Sequence, residues 1–181
     1  AEWSDTVIEP LNILYSQRFD LPWRDYDVSV NAALKADALN QGFSAFGHAR
    51  LVTNGTQLNE ANNQPVLKED IIIIHNGIIE NYRTLRTKLE SKGHVFASET
   101  DTEAVARLVG EYYKGDLRKA VISALRQVEG AYGIAVISAD EPGRLVVARK
   151  GSPLVIGVGE GECLVASDPS ALIAHTRRVI Y

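Results

Sequence analysis

The four consecutive isoleucines at residues 71–74 constrain the fold more than any other part of this chain. A strand that is exposed on one face alternates apolar and polar residues, whereas an unbroken apolar run indicates a strand buried on both faces. We therefore predict a buried strand over residues 70–75. The sequence then changes abruptly to His75, Asn76 and Gly77, and we predict that the strand ends there.

Two interpretations of the Asn76-Gly77 pair stay open at this point. An Asn-Gly pair between apolar runs is a strong signal for a hairpin turn, because both residues tolerate positive φ. A hairpin needs a second strand directly after the turn, however, and residues 80–93 have a helical period instead. In the second interpretation the side-chain amide of Asn76 and the backbone N–H of Gly77 converge on a developing oxyanion.

The order of the predicted elements indicates a single α+β domain over residues 1–181. We predict strands at 43–53, 70–75, 94–98, 131–139, 143–150, 153–159, 162–168 and 177–181, and helices at 31–42, 80–93, 100–115, 116–130 and 168–176. The strands after residue 130 are short and separated by Gly, Pro and acidic residues, which is typical of an antiparallel meander. Strands, then a helical group, then strands again predict sheets sandwiched with helices.

Composition excludes several classes of protein. The net charge is −4, and without a cluster of basic residues the chain is not expected to bind nucleic acid. Its apolar runs are far shorter than the roughly 20 residues that span a bilayer, so we expect no membrane partner. A single cysteine, Cys163, rules out an internal disulfide and suits a reducing compartment, so we expect a cytoplasmic protein.

Four polar residues are candidates for a functional site. Arg50 lies inside an otherwise apolar strand, where its guanidinium suits a carboxylate ligand, although an arginine on a solvent face or in a structural pair is the alternative. Asp101 follows Thr100 at a predicted helix start, where an acid is favoured by the helix dipole alone. His48 and His75 are expected to be satisfied polar groups. Because no ligand spacing accompanies them, we predict no metal and no cofactor.

Taken together, four ordered motifs resemble a known family. They are GHARLVTNG at 47–55, the segment from IIIIHNGIIENY to ARLV at 71–109, RQVEGAYGIAVI at 126–137 and ARKGSPLVIGVGEGECLVASDPSAL at 148–172. They are similar to the class II glutamine amidotransferases, most closely to the branch that makes an amino sugar from a sugar phosphate. The resemblance covers roughly residues 44–181. It implies an N-terminal nucleophile hydrolase fold, a four-layer αββα sandwich of two antiparallel sheets between helices.

The resemblance also implies roles for the candidate residues. Arg50 and Thr53 would bind the α-carboxylate of glutamine, and Asp101 its α-amino group. Asn76 and Gly77 would form the oxyanion hole for the tetrahedral intermediate at the side-chain amide. One cation and one anion at these positions would select a free amino acid over a simple acid or a simple amine.

The nucleophile of this family is a cysteine at the mature N-terminus, whereas this chain begins with Ala1. Cys163 lies in an apolar strand sequence, where a thiol is expected to be inert, so we do not assign it as the nucleophile. We expect a part of a glutaminase that lacks the N-terminal nucleophile strand and the C-terminal closing strands and is inactive alone. The alternative is a non-catalytic relative that binds an amino acid or a partner protein through the same fold.

The acceptor of the ammonia stays open. The expected acceptor is a sugar phosphate, bound by a synthase domain that this chain does not contain. NNQPV at residues 62–66, however, looks closer to the amidophosphoribosyltransferase branch of the same class.

Overall fold

A computed structural model describes residues 47–48, 54–56, 58–141 and 144–181 of the 181-residue chain. The helix predicted at 31–42 and nearly all of the strand predicted at 43–53 lie outside the described residues. In the part of the chain that the structure describes, no helix is long and apolar enough to cross a membrane.

The main sheet has four antiparallel strands in the order β1-β2-β3-β4. Their bounds are Val66–Lys68 (β1), Ile71–Ile79 (β2), Gly130–Ser138 (β3) and Leu145–Lys150 (β4). β2 pairs with β3 along its whole length, from Ile71 opposite Ser138 to Ile79 opposite Gly130. β1 pairs only with the first three residues of β2, up to Ile73 opposite Val66, so the rest of that edge of β2 faces other parts of the chain.

The prediction that the isoleucine strand ends at His75 is wrong, and so is the hairpin interpretation. β2 continues through Asn76 and Gly77 to Ile79. The tertiary pairing overrides the local turn signal, because Asn76 lies opposite Gly133 and Gly77 opposite Tyr132 in an unbroken ladder. Gly77 adopts a φ of 128° within the strand, a conformation that glycine alone adopts without strain.

Three helices lie between β2 and β3 in the chain. They are α1 (Tyr82–Glu90), α2 (Asp101–Tyr112) and α3 (Leu117–Leu125). The predicted caps form at two of them: Thr100 accepts a hydrogen bond from the Glu103 N–H, and Asp116 accepts one from the Lys119 N–H. α1 is followed by a turn that reaches Gly93 in the left-handed region, at φ 94°.

The apolar core lies between these helices and one face of the main sheet. The residues that line it are Ile71, Ile73 and Ile79 of β2, Leu85 and Leu89 of α1, Val105, Leu108 and Val109 of α2, Leu117, Val121 and Leu125 of α3, Val128, and Tyr132, Ile134 and Val136 of β3. The odd-numbered residues of β2 therefore face the helices, while the even-numbered Ile72 and Ile74 are half-buried on the opposite face. Burial of both faces accounts for the unbroken isoleucine run.

A second antiparallel sheet has the strand order β6-β5-β7. Its strands are Val155–Val158 (β5), Cys163–Ala166 (β6) and Val179–Ile180 (β7). The predicted meander is thus split, because β3 and β4 belong to the first sheet and β5 and β6 to the second. The two sheets and three helices confirm the α+β class.

Two short elements differ from the prediction. The strand expected at 94–98 is absent, because the backbone N–H groups of Ala97 and Ser98 donate to the Glu103 carboxylate and not to a neighbouring strand. The helix expected at 168–176 is reduced to one 3-10 turn, Pro169–Ala171. β1 itself, only three residues long, was not predicted.

Candidate active site

The edge of β2 beyond the end of β1 gathers several of the candidate residues. In an antiparallel ladder, alternate residues direct their N–H groups toward opposite neighbours. Glu80 N–H donates to the Glu129 carbonyl and Ala139 N–H to the Asp70 carbonyl, each at 2.9 Å, so the even-numbered residues of β2 bond to β3. The N–H groups of the odd-numbered residues therefore point to the other edge, beyond the end of β1.

Two of these edge N–H groups are bound by side chains. The His75 N–H donates to the Gln64 Oε1 atom at 2.6 Å, and the Ile79 N–H donates to the Asp101 Oδ2 atom at 2.9 Å. The Gly77 N–H lies between them on the same edge. No acceptor for it is found among the described residues, which leaves it available to a ligand.

Gly77 also has no room for a side chain. A Cβ atom at this position would lie 2.1 Å from the backbone oxygen of Ala131 and 2.9 Å from the Ser152 hydroxyl. These distances are far below van der Waals contact, so any other residue would displace β2 from β3. Glycine at this position thus allows β2 to stay paired with β3, with the Gly77 N–H on the other edge of the strand.

Asn76 is exposed and lies on the face of the sheet opposite the helices. Its Oδ1 atom is 3.1 Å from the Nε2 atom of His48. Its Nδ2 group donates to no side chain or backbone group of the described residues. The amide therefore has one end bound by protein and the other end accessible to a ligand.

Asp101 is the first residue of α2 and is 4% exposed. One carboxylate oxygen accepts the Ile79 N–H, two residues along β2 from Gly77. The other oxygen has no hydrogen-bond donor in the described part of the chain. The helix start thus presents a fixed carboxylate beside the strand that carries Asn76 and Gly77.

His75 lies beneath this edge, among the helices. It is 4% exposed, and its Nδ1 atom is 3.2 Å from the Thr102 hydroxyl. Burial lowers the pKa of His75, and His48 acts in the same direction, while Asp101 and the Ala131 backbone oppose the shift. Burial therefore favours the neutral form of the ring. Among the described residues its Nε2 atom has no hydrogen-bond partner, so there the expectation of a satisfied polar group is met at only one of the two nitrogens.

Two residues of this region were missed by sequence reasoning. Gln64 binds both backbone groups of His75, because its Nε2 group also donates to the His75 carbonyl at 2.9 Å. Asn62 is fully buried, accepts the Glu99 N–H at 2.9 Å and donates to the Thr56 carbonyl at 3.0 Å. Both residues occur in the NNQPV segment, which the sequence analysis related only to one branch of the amidotransferase class. No local pattern distinguishes them from ordinary loop residues.

The other residues considered from the sequence are Arg50, Thr53 and Cys163. Arg50 and Thr53 lie outside the described part of the chain. Cys163 is half-buried in β6, and burial raises the pKa of its thiol, which disfavours the reactive thiolate. Within the described ranges no group of three or more His, Cys, Asp or Glu side chains could hold a metal ion.

Comparisons with known proteins identify the class of protein to which this fold belongs, the glutamine amidotransferases. The sequence model of the glutamine amidotransferase domain matches residues 48–174, and the chain belongs to that family. Among curated relatives, it is 47% identical over 157 residues to the glutamine–fructose-6-phosphate aminotransferase (isomerizing) of Thermotoga maritima, covering 86% of this chain and 26% of the relative. It is 52% identical over 152 residues to the enzyme of the same name from Idiomarina loihiensis, covering 80% of this chain and 25% of the relative.

Solved structures confirm the predicted fold. The glutamine phosphoribosylpyrophosphate amidotransferase of B. subtilis matches with a TM-score of 0.61 and 26% identity, over 71% of this chain and 29% of the other. A structure described as the allosteric regulatory enzyme of purine biosynthesis matches with a TM-score of 0.56 and 27% identity, over 64% of this chain and 26% of the other. The fold is that of the N-terminal nucleophile amidotransferases. The chain spans about a quarter of the length of the curated relatives it matches.

Proposed function

We propose that this chain is the glutamine-hydrolysing part of a class II amidotransferase, which releases ammonia for transfer to an acceptor. The observation that carries the proposal is the hydrogen bond between Asp101 and the Ile79 N–H. It holds an anion beside the same strand edge on which the Gly77 N–H is available. One strand thus presents a site for the α-amino group and a site for the reacting amide.

Recognition of glutamine uses its two charges. The open oxygen of Asp101 accepts the α-ammonium group, and the bond from the Ile79 N–H prevents the carboxylate from rotating away. Arg50 and Thr53 are proposed to bind the α-carboxylate, since a guanidinium pairs with a carboxylate through two parallel hydrogen bonds. A molecule that lacks either charge leaves the protein group proposed to bind that charge unpaired, and it therefore binds more weakly.

Hydrolysis uses the polar end of β2. When a nucleophile adds to the side-chain carbonyl of glutamine, negative charge develops on the carbonyl oxygen. The Asn76 Nδ2 group and the Gly77 N–H are proposed to donate to that oxygen, and loss of one such donor costs about a hundredfold to a thousandfold in rate. The thiol nucleophile is proposed to come from a cysteine outside these 181 residues.

The acceptor of the ammonia is proposed to be a sugar phosphate. This proposal rests on the names of the curated relatives, which are glutamine–fructose-6-phosphate aminotransferases. A sugar-phosphate-binding domain, absent from these 181 residues, would then receive the ammonia. The proposed arrangement of domains follows from the relatives' greater length.

The test compares two proteins made from the same gene. The protein from the full-length open reading frame should release glutamate from glutamine, and the 181-residue chain alone should not. Glutamate formation is measured by a coupled dehydrogenase assay. Turnover by the isolated 181-residue chain would refute the assignment of the nucleophile, and a full-length protein that binds but never hydrolyses glutamine would favour the non-catalytic alternative.

A further inference from the structure

One ring nitrogen of His48 contacts two oxygen atoms of β2. The Nε2 atom lies 3.1 Å from the His75 carbonyl oxygen and 3.1 Å from the Asn76 Oδ1 atom. The two oxygens belong to consecutive residues of β2, one in the main chain and one in a side chain. His48 therefore links the orientation of the Asn76 side-chain amide to the position of the His75 carbonyl in the strand backbone.

The backbone carbonyl determines where the proton of His48 lies. A carbonyl oxygen accepts hydrogen bonds and never donates them, so the Nε2 atom must carry the hydrogen. The His75 carbonyl has two lone pairs, and it accepts from both His48 and the Gln64 Nε2 group, the latter at 2.9 Å. The tautomer of His48 is therefore set by the chemistry of its neighbour.

The direction of the Asn76 amide follows from this proton. With Nε2–H directed at the asparagine side chain, the nearer atom of the amide must be the acceptor, Oδ1. The reversed amide would place the Nδ2 hydrogens against the Nε2 hydrogen. The Nδ2 group is thereby turned away from His48. Because Nε2 carries its hydrogen in both the neutral and the protonated ring, the direction holds in either charge state.

We infer that His48 is a positioning residue for glutamine hydrolysis, which acts by turning the Asn76 amide so that its Nδ2 group donates to the developing oxyanion. The inference rests on the oxyanion role proposed above for Asn76. His48 itself contacts neither the substrate nor the reacting atoms in this scheme. Gln64 supports it by holding the His75 backbone, one residue before Asn76, at both its N–H and its carbonyl.

The kinetic test is a double-mutant cycle in the full-length protein. His48→Phe keeps an aromatic ring but removes the donor, and it should lower kcat about tenfold to a hundredfold with the KM for glutamine unchanged. His48→Gln, whose amide can still donate, should recover much of that loss. In an Asn76→Ala background, His48→Phe should have no further effect. His175→Phe, which alters an exposed histidine, is the control and should leave kcat unchanged.

The outcomes separate this inference from the proposed function. If Asn76→Ala lowers kcat and His48→Phe lowers it further by the same factor as in the wild type, His48 acts independently and only the inference is overturned. If Asn76→Ala has the kcat of the wild type, the oxyanion role is overturned and the inference with it. A rise in KM without a change in kcat for His48→Phe would also overturn the inference.

A spectroscopic test needs no activity. Long-range ¹H–¹⁵N correlation spectra of the 181-residue chain report the protonation of each imidazole nitrogen, and His48→Gln identifies the His48 signals. At a pH where the ring is neutral, we expect the hydrogen on Nε2. A neutral ring with its hydrogen on Nδ1 would overturn the inference, because Nε2 could then donate to neither oxygen.

Discussion

At the scale of single residues, Gly77 combines a backbone requirement with a steric one. Its φ is 128°, and a Cβ atom would lie 2.1 Å from the Ala131 oxygen. We expect Gly77→Ala to lower both the melting temperature and kcat, the latter at least tenfold, because relief of the clash moves the N–H that is proposed to bind the oxyanion. Thermal unfolding and steady-state glutaminase assays of the full-length protein measure the two effects.

Gly93→Ala is the matched control for this prediction. Gly93 also has a positive φ, of 94°, but nothing lies within 4 Å of its Cβ position. The substitution should destabilise the protein by about 1 kcal/mol through backbone strain alone and leave kcat unchanged. Equal kcat values for Gly77→Ala and the wild type would contradict the proposed role of the Gly77 N–H.

At Asp101, one substitution can remove the negative charge while keeping the hydrogen bond to the Ile79 N–H. Asp101→Asn keeps an oxygen that can accept the Ile79 N–H but removes the negative charge. We expect the KM for glutamine to rise at least tenfold with a smaller change in kcat, because the lost interaction is with a part of the substrate that does not react. Asp116→Asn is the control, since the Asp116 carboxylate also accepts a backbone N–H, that of Lys119. A KM unchanged by Asp101→Asn would contradict the assignment.

At the scale of elements, the N-terminus of α2 depends on a buried carboxylate. Glu103 is fully buried and accepts the N–H groups of Ala97 and Ser98 at 3.1 and 2.6 Å. It also pairs with Arg107 at 2.9 Å and with Lys68 of β1 at 3.2 Å. Glu103 therefore joins the segment that leads into α2 to the edge strand of the main sheet.

This network gives the protein a specific sensitivity to acid. Burial raises the pKa of Glu103, but hydrogen bonds from Ser98, Ala97 and Arg107 outweigh burial and bring the pKa from 4.5 to about 2. Because the folded-state pKa lies below the ordinary value, the stabilisation is present at neutral pH and is lost as the pH falls from about 4.5 toward 2.

Glu103→Gln tests this sensitivity. We expect it to reduce the free energy of unfolding at pH 7 by on the order of 1–3 kcal/mol, since buried donors lose their charged acceptor. The variant should also show a smaller loss of stability than the wild type between pH 4.5 and 2. Urea unfolding at a series of pH values measures both effects. Glu111→Gln, which removes a more exposed ion pair of the same helix with Lys92, should have little effect.

The elements that sequence reasoning predicted are those whose signals are local. The apolar faces of the three helices, such as Leu85 and Leu89 or Val121 and Leu125, lie in the core as their spacing predicts. The end of β2 was mispredicted because the Asn-Gly signal is local, whereas the pairing with β3, 51 or more positions away, is not. The strand expected at 94–98 failed for a similar reason, since Glu103 binds its N–H groups.

The site shows the same division. Asn76, Gly77 and Asp101 were named from a motif, and the structure places Asp101 on the strand edge of the other two. The contacts of Gln64 and His48 with the His75 backbone depend on how distant parts of the chain meet the edge of β2. No spacing within the sequence encodes these contacts, so Gln64 was missed and His48 was expected only to be a satisfied polar group.

At the scale of the whole molecule, the 181-residue chain contains every residue proposed to bind glutamine, and binding can therefore be separated from hydrolysis. A ligand that binds only the folded state stabilises it by RT ln(1 + [L]/Kd), about 2.7 kcal/mol at one hundred times Kd. For a chain of this size, that corresponds to a rise in melting temperature of roughly 5–10 °C. We expect glutamine to produce this rise without being consumed.

Analogues and a variant identify which charges are responsible. Glutaramate lacks the α-amino group that Asp101 is proposed to bind, and 4-aminobutanamide lacks the α-carboxylate that Arg50 is proposed to bind, so neither should raise the melting temperature at the same concentration. Arg50→Ala should abolish the response to glutamine. An equal response to glutaramate and glutamine would show that Asp101 does not bind the ammonium group, because the ligand would then lose nothing when that charge is removed.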